Sequence, residues 1–159
     1  MGNEGIRIVS VEVDVGQSAM LLARGWSFDW NERAADLVGG ASRLKAVLID
    51  EEIQGLVEYE ILQRDLYVFI HKLEIDPHNR GERKKYSGVA GLLLAYVARE
   101  SFNSGCDGFV VLVAKTVLQQ YYQARYGAKP LGGARLYFDT GASVRLIEEY
   151  LAGKEIRYV

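Results

Sequence analysis

Cysteine is nearly missing from this sequence. Cys106 stands alone, with only two separated histidines elsewhere, so an internal disulfide is excluded and no metal-ligand spacing exists. No metal is expected. Proline is scarce, 2 residues against 17 glycines, while about half of the chain is apolar and a quarter charged. That is the composition of an ordinary globular protein, not of a disordered or collagenous one. An excess of one charge is missing too. The 19 basic and 21 acidic residues leave a net charge of -2, which provides no broad positive field for nucleic acid or an anionic membrane. Any anion site has to be local. The longest apolar runs, FVVLVA from Phe109 and VAGLLLAYVA from Val89, fall short of the roughly 20 residues that cross a bilayer. No cationic start followed by an apolar run opens the chain, so a cytoplasmic location is the expectation. At this length residues 1–159 read as a single domain.

What is present is strong periodicity. IRIVSVEVD from Ile6 alternates as a half-buried strand does, and Gln17 to Val38 shifts to helical spacing, fitting one or two short helices around the aromatic cluster Trp26, Phe28 and Trp30. LKAVLI from Leu44, IQGLVEYEIL from Ile53 and LYVFIHKLEI from Leu66 predict three antiparallel strands joined by tight polar turns. Pro77 stops the third. GVAGLLLAYVARESF from Gly88 predicts a helix, and FVVLVAK from Phe109 a strand covered on both faces. A strand-helix-strand unit of this kind makes LYVFIHKLEI and FVVLVAK parallel neighbours. A helix from Val117 to about Tyr126, a strand at ARLYFD and a last helix from Ala142 to Leu151 complete the reading.

Between Pro77 and Gly88, HNRGERKKYS carries Arg80, Arg83, Lys84 and Lys85 against one acid. It leads into a helix whose first turn holds Gly88, Ala90 and Gly91. A helix N-terminus offers unpaired N–H groups and partial positive charge, and small residues let an anion approach them. Capping by Ser87 would explain the helix start without a ligand and is the commoner arrangement for helices at large. The cation cluster tips the balance towards phosphate. Neither a P-loop nor a dinucleotide fingerprint has the right spacing here.

These residues carry a resemblance. Lys85-Tyr86-Ser87-Gly88-Val89-Ala90 resembles the Arg/Gln-x-x-Gly-x-Gly/Ala signature of the GCN5-related N-acetyltransferase (GNAT) superfamily. KTVLQQYYQARYGAKPLG resembles the family's Asn-x-x-Ala-x-x-x-Tyr segment, with Lys115 where asparagine is usual and Tyr122 at the tyrosine. The likeness covers roughly residues 44 to 139. Three departures stand out: Lys85 replaces Arg or Gln, the loop from His78 to Lys84 is longer than usual, and one extra residue separates Tyr122 from Gly127. The implied fold is α/β (α+β): a GNAT-like mixed, mostly antiparallel central sheet with a parallel splayed strand pair and helices on both faces. The implied cosubstrate is acetyl-CoA. Its implied binding residues are Leu73, Ile75, Arg80, Arg83, Lys84, Lys85, Tyr86, Ser87, Gly88, Val89, Ala90, Gly91 and Lys115.

The implied reaction moves an acetyl group from acetyl-CoA to a primary amine of a small molecule or protein by direct attack. It needs a neutral amine, donors for the oxyanion and a proton for the thiolate. By resemblance, backbone N–H groups around Glu74 and Ile75 supply the donors. Tyr122 is the candidate acid, since a phenol is protonated at pH 7; Tyr121 and Tyr126 lie close in sequence and leave the choice open. Glu58 and Glu74 are the candidate bases, although strand glutamates are more often solvated or paired. His71 either points to the cleft or is a satisfied core histidine, the latter being commoner. His78 belongs to the phosphate loop, and Cys106 has no activating neighbour. An aromatic and acidic wall of Trp26, Phe28 and Trp30 with Asp29, Glu32 and Asp36 would suit a cationic acceptor, as core tryptophans would suit the same residues. The alternative from another class is a non-catalytic CoA-binding or partner-binding module on the same fold. A toxin acting on aminoacyl-tRNA ranks last because no broad basic face exists. No membrane or nucleic-acid partner is expected, and a homodimer is left open.

Overall fold

Strand alternation in the first half of the chain closes into a meander. The computed structural model describes residues 5–152 and the backbone of Arg157–Tyr158. Its elements are β1 (Ile6–Ser10), α1 (Val15–Ala23), β2 (Arg43–Ile49), β3 (Glu52–Leu62), β4 (Tyr67–Ile75), α2 (Val89–Asn103), β5 (Val110–Val113), α3 (Thr116–Tyr126), β6 (Lys129–Gly132), β7 (Arg135–Phe138), α4 (Thr140–Tyr150) and β8 (Arg157–Tyr158). Asp50 and Glu51 take φ of 50° and 69°, which matches a two-residue hairpin turn whose twist follows the strands. Ile49 and Glu52 pair across it.

The strands lie in the order β6-β7-β5-β4-β3-β2-β1-β8. The β4–β5 neighbours are parallel, as the intervening helix demands. So are β1 and β8; the other neighbouring pairs are antiparallel. The sheet is therefore mixed and mostly antiparallel, as expected.

Helices cover both faces. On one, α2 and α4 close a core that includes Val57, Tyr59, Ile70, Leu93, Leu94, Leu112, Phe138 and Leu146. The α2 helix is buried along most of its length because Leu92, Leu93, Leu94 and Val97 leave its centre without a polar side. Each such leucine stabilises by roughly 1.5–3 kcal/mol. On the other face Leu21 of α1, Trp26 and Trp30 pack on Ala46, Leu48 and Leu56. The α1 start is fixed by a reciprocal box in which Asp14 caps Gln17 N and Gln17 caps Asp14 N.

Three expectations change. Helical spacing up to Val38 produces a helix only as far as Ala23; residues 24–42 are irregular, and their backbone donors go to buried carboxylates of the sheet instead. Ser87 does not cap α2: the cap is Gly88, in the left-handed conformation at φ 80°. The β6 strand was not anticipated, since it contains Pro130, and proline is tolerated there because β6 is an edge.

Candidate active site

The parallel β4–β5 ladder has only the rungs Val68–Val110, Phe69–Val111 and Ile70–Leu112. Beyond Ile70, β4 continues to Ile75 paired with β3 alone. Val68 N donates to Phe109 O on the β5 side, whereas Asp76 N donates to Gln54 O on the β3 side. Backbone direction alternates along a strand, so Glu74 and Lys72 turn to β3, and the N–H groups of Leu73 and Ile75 turn into the gap left by β5. Two backbone donors in an opening between strands are an unusual resource. Ile75 O, in the same gap, accepts from the Arg80 guanidinium at 2.9 Å.

The loop after β4 is tightly held. Asp76 accepts from His78 N and from the Trp26 indole N–H. Asn79, 4% exposed, donates to Gln54 and accepts from Tyr86 N, while Lys85 N donates to His78 O. Residues 80–84 are thus a loop pinned at both ends. It delivers the chain to Gly88, whose carbonyl accepts the first α2 bond from Leu92 N. The N–H groups of Val89, Ala90 and Gly91 have no partner inside the helix.

Gap, loop and helix start enclose a cleft of about 620 Å³. Its walls include Leu73, Glu74 and Ile75 of β4, Arg80 and Lys84 of the loop, Gly88, Val89 and Ala90 at the start of α2, and Lys115, Tyr121, Tyr122 and Tyr126 beside or in α3. Ser27, Phe28, His71 and Lys72 line it from the irregular segment and the middle of β4. Arg83, Lys85, Tyr86 and Ser87 do not. Arg83 and Ser87 point to solvent, Tyr86 packs against the helix-side core, and the Lys85 ammonium lies over the Tyr86 ring, 5.5 Å from its centre. Gly91 is also turned away: a Cβ there would stand 2.2 Å from the Tyr150 ring, so its small size serves the α2–α4 packing.

The tyrosines form a cluster. Ring centres of Tyr122 and Tyr126 are 5.7 Å apart, as are those of Tyr121 and Tyr126. Tyr121 is half exposed, whereas Tyr122 and Tyr126 are buried. Burial pushes the Tyr122 phenol up, Tyr121 adds to this, and the nearby Arg80 charge opposes it. Tyr126 is raised as well, by burial and by Tyr121. All three line the cleft.

The sheet carboxylates have another task. Glu74 accepts from Ser27 N at 2.5 Å, Phe28 N at 3.1 Å and the Trp30 indole N–H at 2.9 Å, with Arg80 3.4 Å away. Glu58, fully buried and not a lining residue, accepts from Arg33, Ala34 N and Ser42. Burial pushes the Glu58 carboxyl up, but Ser42, Arg33 and the Ala34 N–H together hold it below its ordinary range. Glu60 behaves likewise, with burial outweighed by Val38 N, the His71 ring and Gly39 N. These groups are alternate residues on one face of β3, with Glu74 opposite Leu56 on β4, and they tie the irregular segment to the sheet. As a base, Glu58 is therefore corrected: it does not reach the cleft. Glu74 reaches the wall with its oxygens already occupied.

The tryptophan wall is corrected too. Trp26 and Trp30 are 3% and 1% exposed, and their indoles donate to Asp76 and Glu74. Of the aromatic cluster only Phe28 lines the cleft. Asn79 and Gln54, which anchor the loop, went unread because neither belongs to a chemical motif; their one signal was the Asp-Pro turn that precedes Asn79. Among the described residues no group of three or more potential ligands could hold a metal ion, and no helix is long and apolar enough to cross a membrane.

No protein-family model and no curated protein matches the chain. Solved structures do match. An acetyltransferase of the GNAT family from Staphylococcus aureus superposes with a TM-score of 0.58 at 13% identity, over 85% of this chain and 99% of that one. The protein AtaT in complex with acetyl-methionyl-tRNAfMet matches at TM-score 0.51 and 17% identity, over 67% and 75% of the two chains. A mutant AtaT toxin bound to the C-terminus of the antitoxin AtaR and to acetyl-CoA matches at 0.50 and 20%, over 67% and 72%. At these identities the likeness concerns the fold, and the fold is that of the GNAT acetyltransferases.

Proposed function

We propose that this chain, a GNAT fold, is an acyl-CoA-dependent N-acyltransferase that moves an acetyl group from acetyl-CoA to a primary amine by direct attack. The observation that carries the reading is the cleft at the β4–β5 separation, where free backbone donors, a cationic helix start and a buried phenol face one space. Acetyl-CoA, as cosubstrate, supplies an activated thioester carbonyl.

Each wall has a part in this reading. The N–H groups of Val89 and Ala90, with Arg80 and Lys84, receive the pyrophosphate at the positive end of α2. The N–H groups of Leu73 and Ile75 pair with the pantetheine and polarise the carbonyl as negative charge grows on its oxygen. Tyr122, kept protonated by burial, gives its proton to the departing thiolate. Lys115 stands at the N-terminus of α3 on the same cleft and adds positive charge. The acceptor is a small-molecule or protein amine. Acceptors of the AtaT kind, attached to tRNA, do not suit a chain with 21 acidic and 19 basic residues.

The test is calorimetry with acetyl-CoA followed by thiol release across a panel of primary amines. Binding with turnover is the expected result. Binding with no turnover would favour the non-catalytic module, and absence of binding at millimolar ligand would end the reading.

A further inference from the structure

Pairing along β3 and β4 slips once. Glu58 faces Lys72 and Tyr59 faces Ile70, so His71 is the extra residue of a β-bulge. A bulge re-aims a side chain. Ile70 enters the helix-side core, whereas His71 and Lys72 both reach carboxylates on the other face, Glu60 and Glu58 respectively. The His71 side chain is 4% exposed, yet it lines the cleft.

Its ring is oriented from two sides. Nε2 lies 2.6 Å from Glu60 Oε1, and Glu60 is itself fixed by Val38 N and Gly39 N. A carboxylate can only accept, so in the neutral ring Nε2 carries the hydrogen and Nδ1 keeps the lone pair. Phe69 meets the ring edge to face, with centres 4.7 Å apart. Among the described residues Nδ1 makes no hydrogen bond; the nearest charge is Asp36 Oδ1 at 3.9 Å, on a side chain 92% exposed. A buried imidazole with one nitrogen clamped and the other left open is an arrangement that packing alone does not require.

We propose that His71 takes the proton from the acceptor amine, with Glu60 as the positioning residue behind it and Asp36 as the exposed carboxylate that draws the ammonium in. The proposal rests on the acyltransferase reading. An N–H bond of the ammonium breaks, and its proton bonds to Nδ1. The freed lone pair attacks the thioester carbonyl carbon, the C–N bond forms, the C–S bond breaks, and sulfur leaves with the electron pair. Tyr122 protonates that sulfur. The phenolate takes back a proton from the product nitrogen, which still carries two hydrogens and a positive charge once the C–S bond has broken, and His71 releases its proton to solvent.

The charged groups around the ring agree with this role. Glu60 faces it from β3 and Asp36 from the irregular segment, while Lys72, next along β4, is matched by Glu58 at 3.7 Å and donates to Glu32 O. The imidazolium therefore meets two carboxylates already in place. Glu58 and Glu74, by contrast, spend their oxygens on the backbone and side chains of the segment from Ser27 to Ser42.

The experiment measures thiol release from acetyl-CoA with water alone and with ethanolamine, spermidine and lysine methyl ester as acceptors. His71→Gln, which can still pair with Glu60, should lower kcat by about 100-fold or more. Its acetyl-CoA affinity and melting temperature should stay as in the wild type, and the acidic limb of the pH profile should vanish. Added imidazole should restore part of the turnover of His71→Ala. A His71→Gln protein that keeps wild-type kcat and pH profile overturns the assignment while leaving the acyltransferase reading intact. A wild-type protein that fails to bind acetyl-CoA, or binds it and releases no thiol with any of these acceptors, overturns both.

Discussion

At the scale of single residues, neighbours in sequence part company in space. Lys84 lines the cleft, whereas Lys85 lies over Tyr86 with its backbone N–H committed to His78. The motif resemblance singles out Lys85, but the geometry singles out Lys84. Lys84→Glu should therefore weaken acetyl-CoA binding about tenfold or more in calorimetry at low salt, where exposed charges are least screened. Lys85→Glu should change it by less than about threefold. Tyr121 and Tyr122 divide in the same way, one half exposed and the other buried. Tyr122→Phe keeps the ring and removes the proton, so kcat should fall about 100-fold with acetyl-CoA affinity unchanged. Tyr121→Phe should stay within about twofold in the same assay.

At the scale of elements, the site exists because β4 outruns β5. The β4 strand is longer than its parallel partner, and the bulge at His71 shifts its phase. Leu73 and Ile75 then present backbone donors to the gap. The α2 helix meets the gap at its N-terminus and is held there by α4. At Gly91 there is no room for a Cβ beneath the Tyr150 ring. Gly91→Val should destabilise the protein by about 1–3 kcal/mol through overpacking, read as a lower thermal midpoint. A second change, Tyr150→Ala, opens that space, so the double variant should lose less than the sum of the two single losses.

At the scale of the whole molecule, buried carboxylates connect the sheet to a long irregular segment. Glu58 and Glu60 are both held below their ordinary values in the fold. A carboxylate whose value falls on folding stabilises the native state at pH above its unfolded value of about 4.3. That contribution is lost as pH falls through the lowered native value. Thermal midpoints should therefore be flat near neutrality and drop between about pH 4.3 and the native values. Glu58→Gln should lower the neutral midpoint, at a cost of about 2 kcal/mol for charged hydrogen bonds lost, and flatten the acid slope. Net charge has little to say here, because Arg80 and Lys84 line the cleft locally, beside the start of α2.

Periodicity made most of the fold legible. The meander, the parallel return of β5 and helices α2, α3 and α4 all follow from whether apolar residues recur every second or every third to fourth position, and that is a property of each segment by itself. Local chemistry marked a candidate anion site in the same way, through Gly88, Ala90 and the cations before them, and the fold sets Arg80, Lys84, Gly88 and Ala90 on the cleft. The segment from Arg24 to Ser42 was not legible, because helical spacing there competed with carboxylates more than 20 residues away along the chain, and the carboxylates won its backbone donors. For the same reason strand position could not decide whether Glu58, Glu74 or His71 faces a substrate. A side chain's chemistry is written in its own residue, but which of its atoms remain free depends on partners that only the folded chain brings within hydrogen-bond distance.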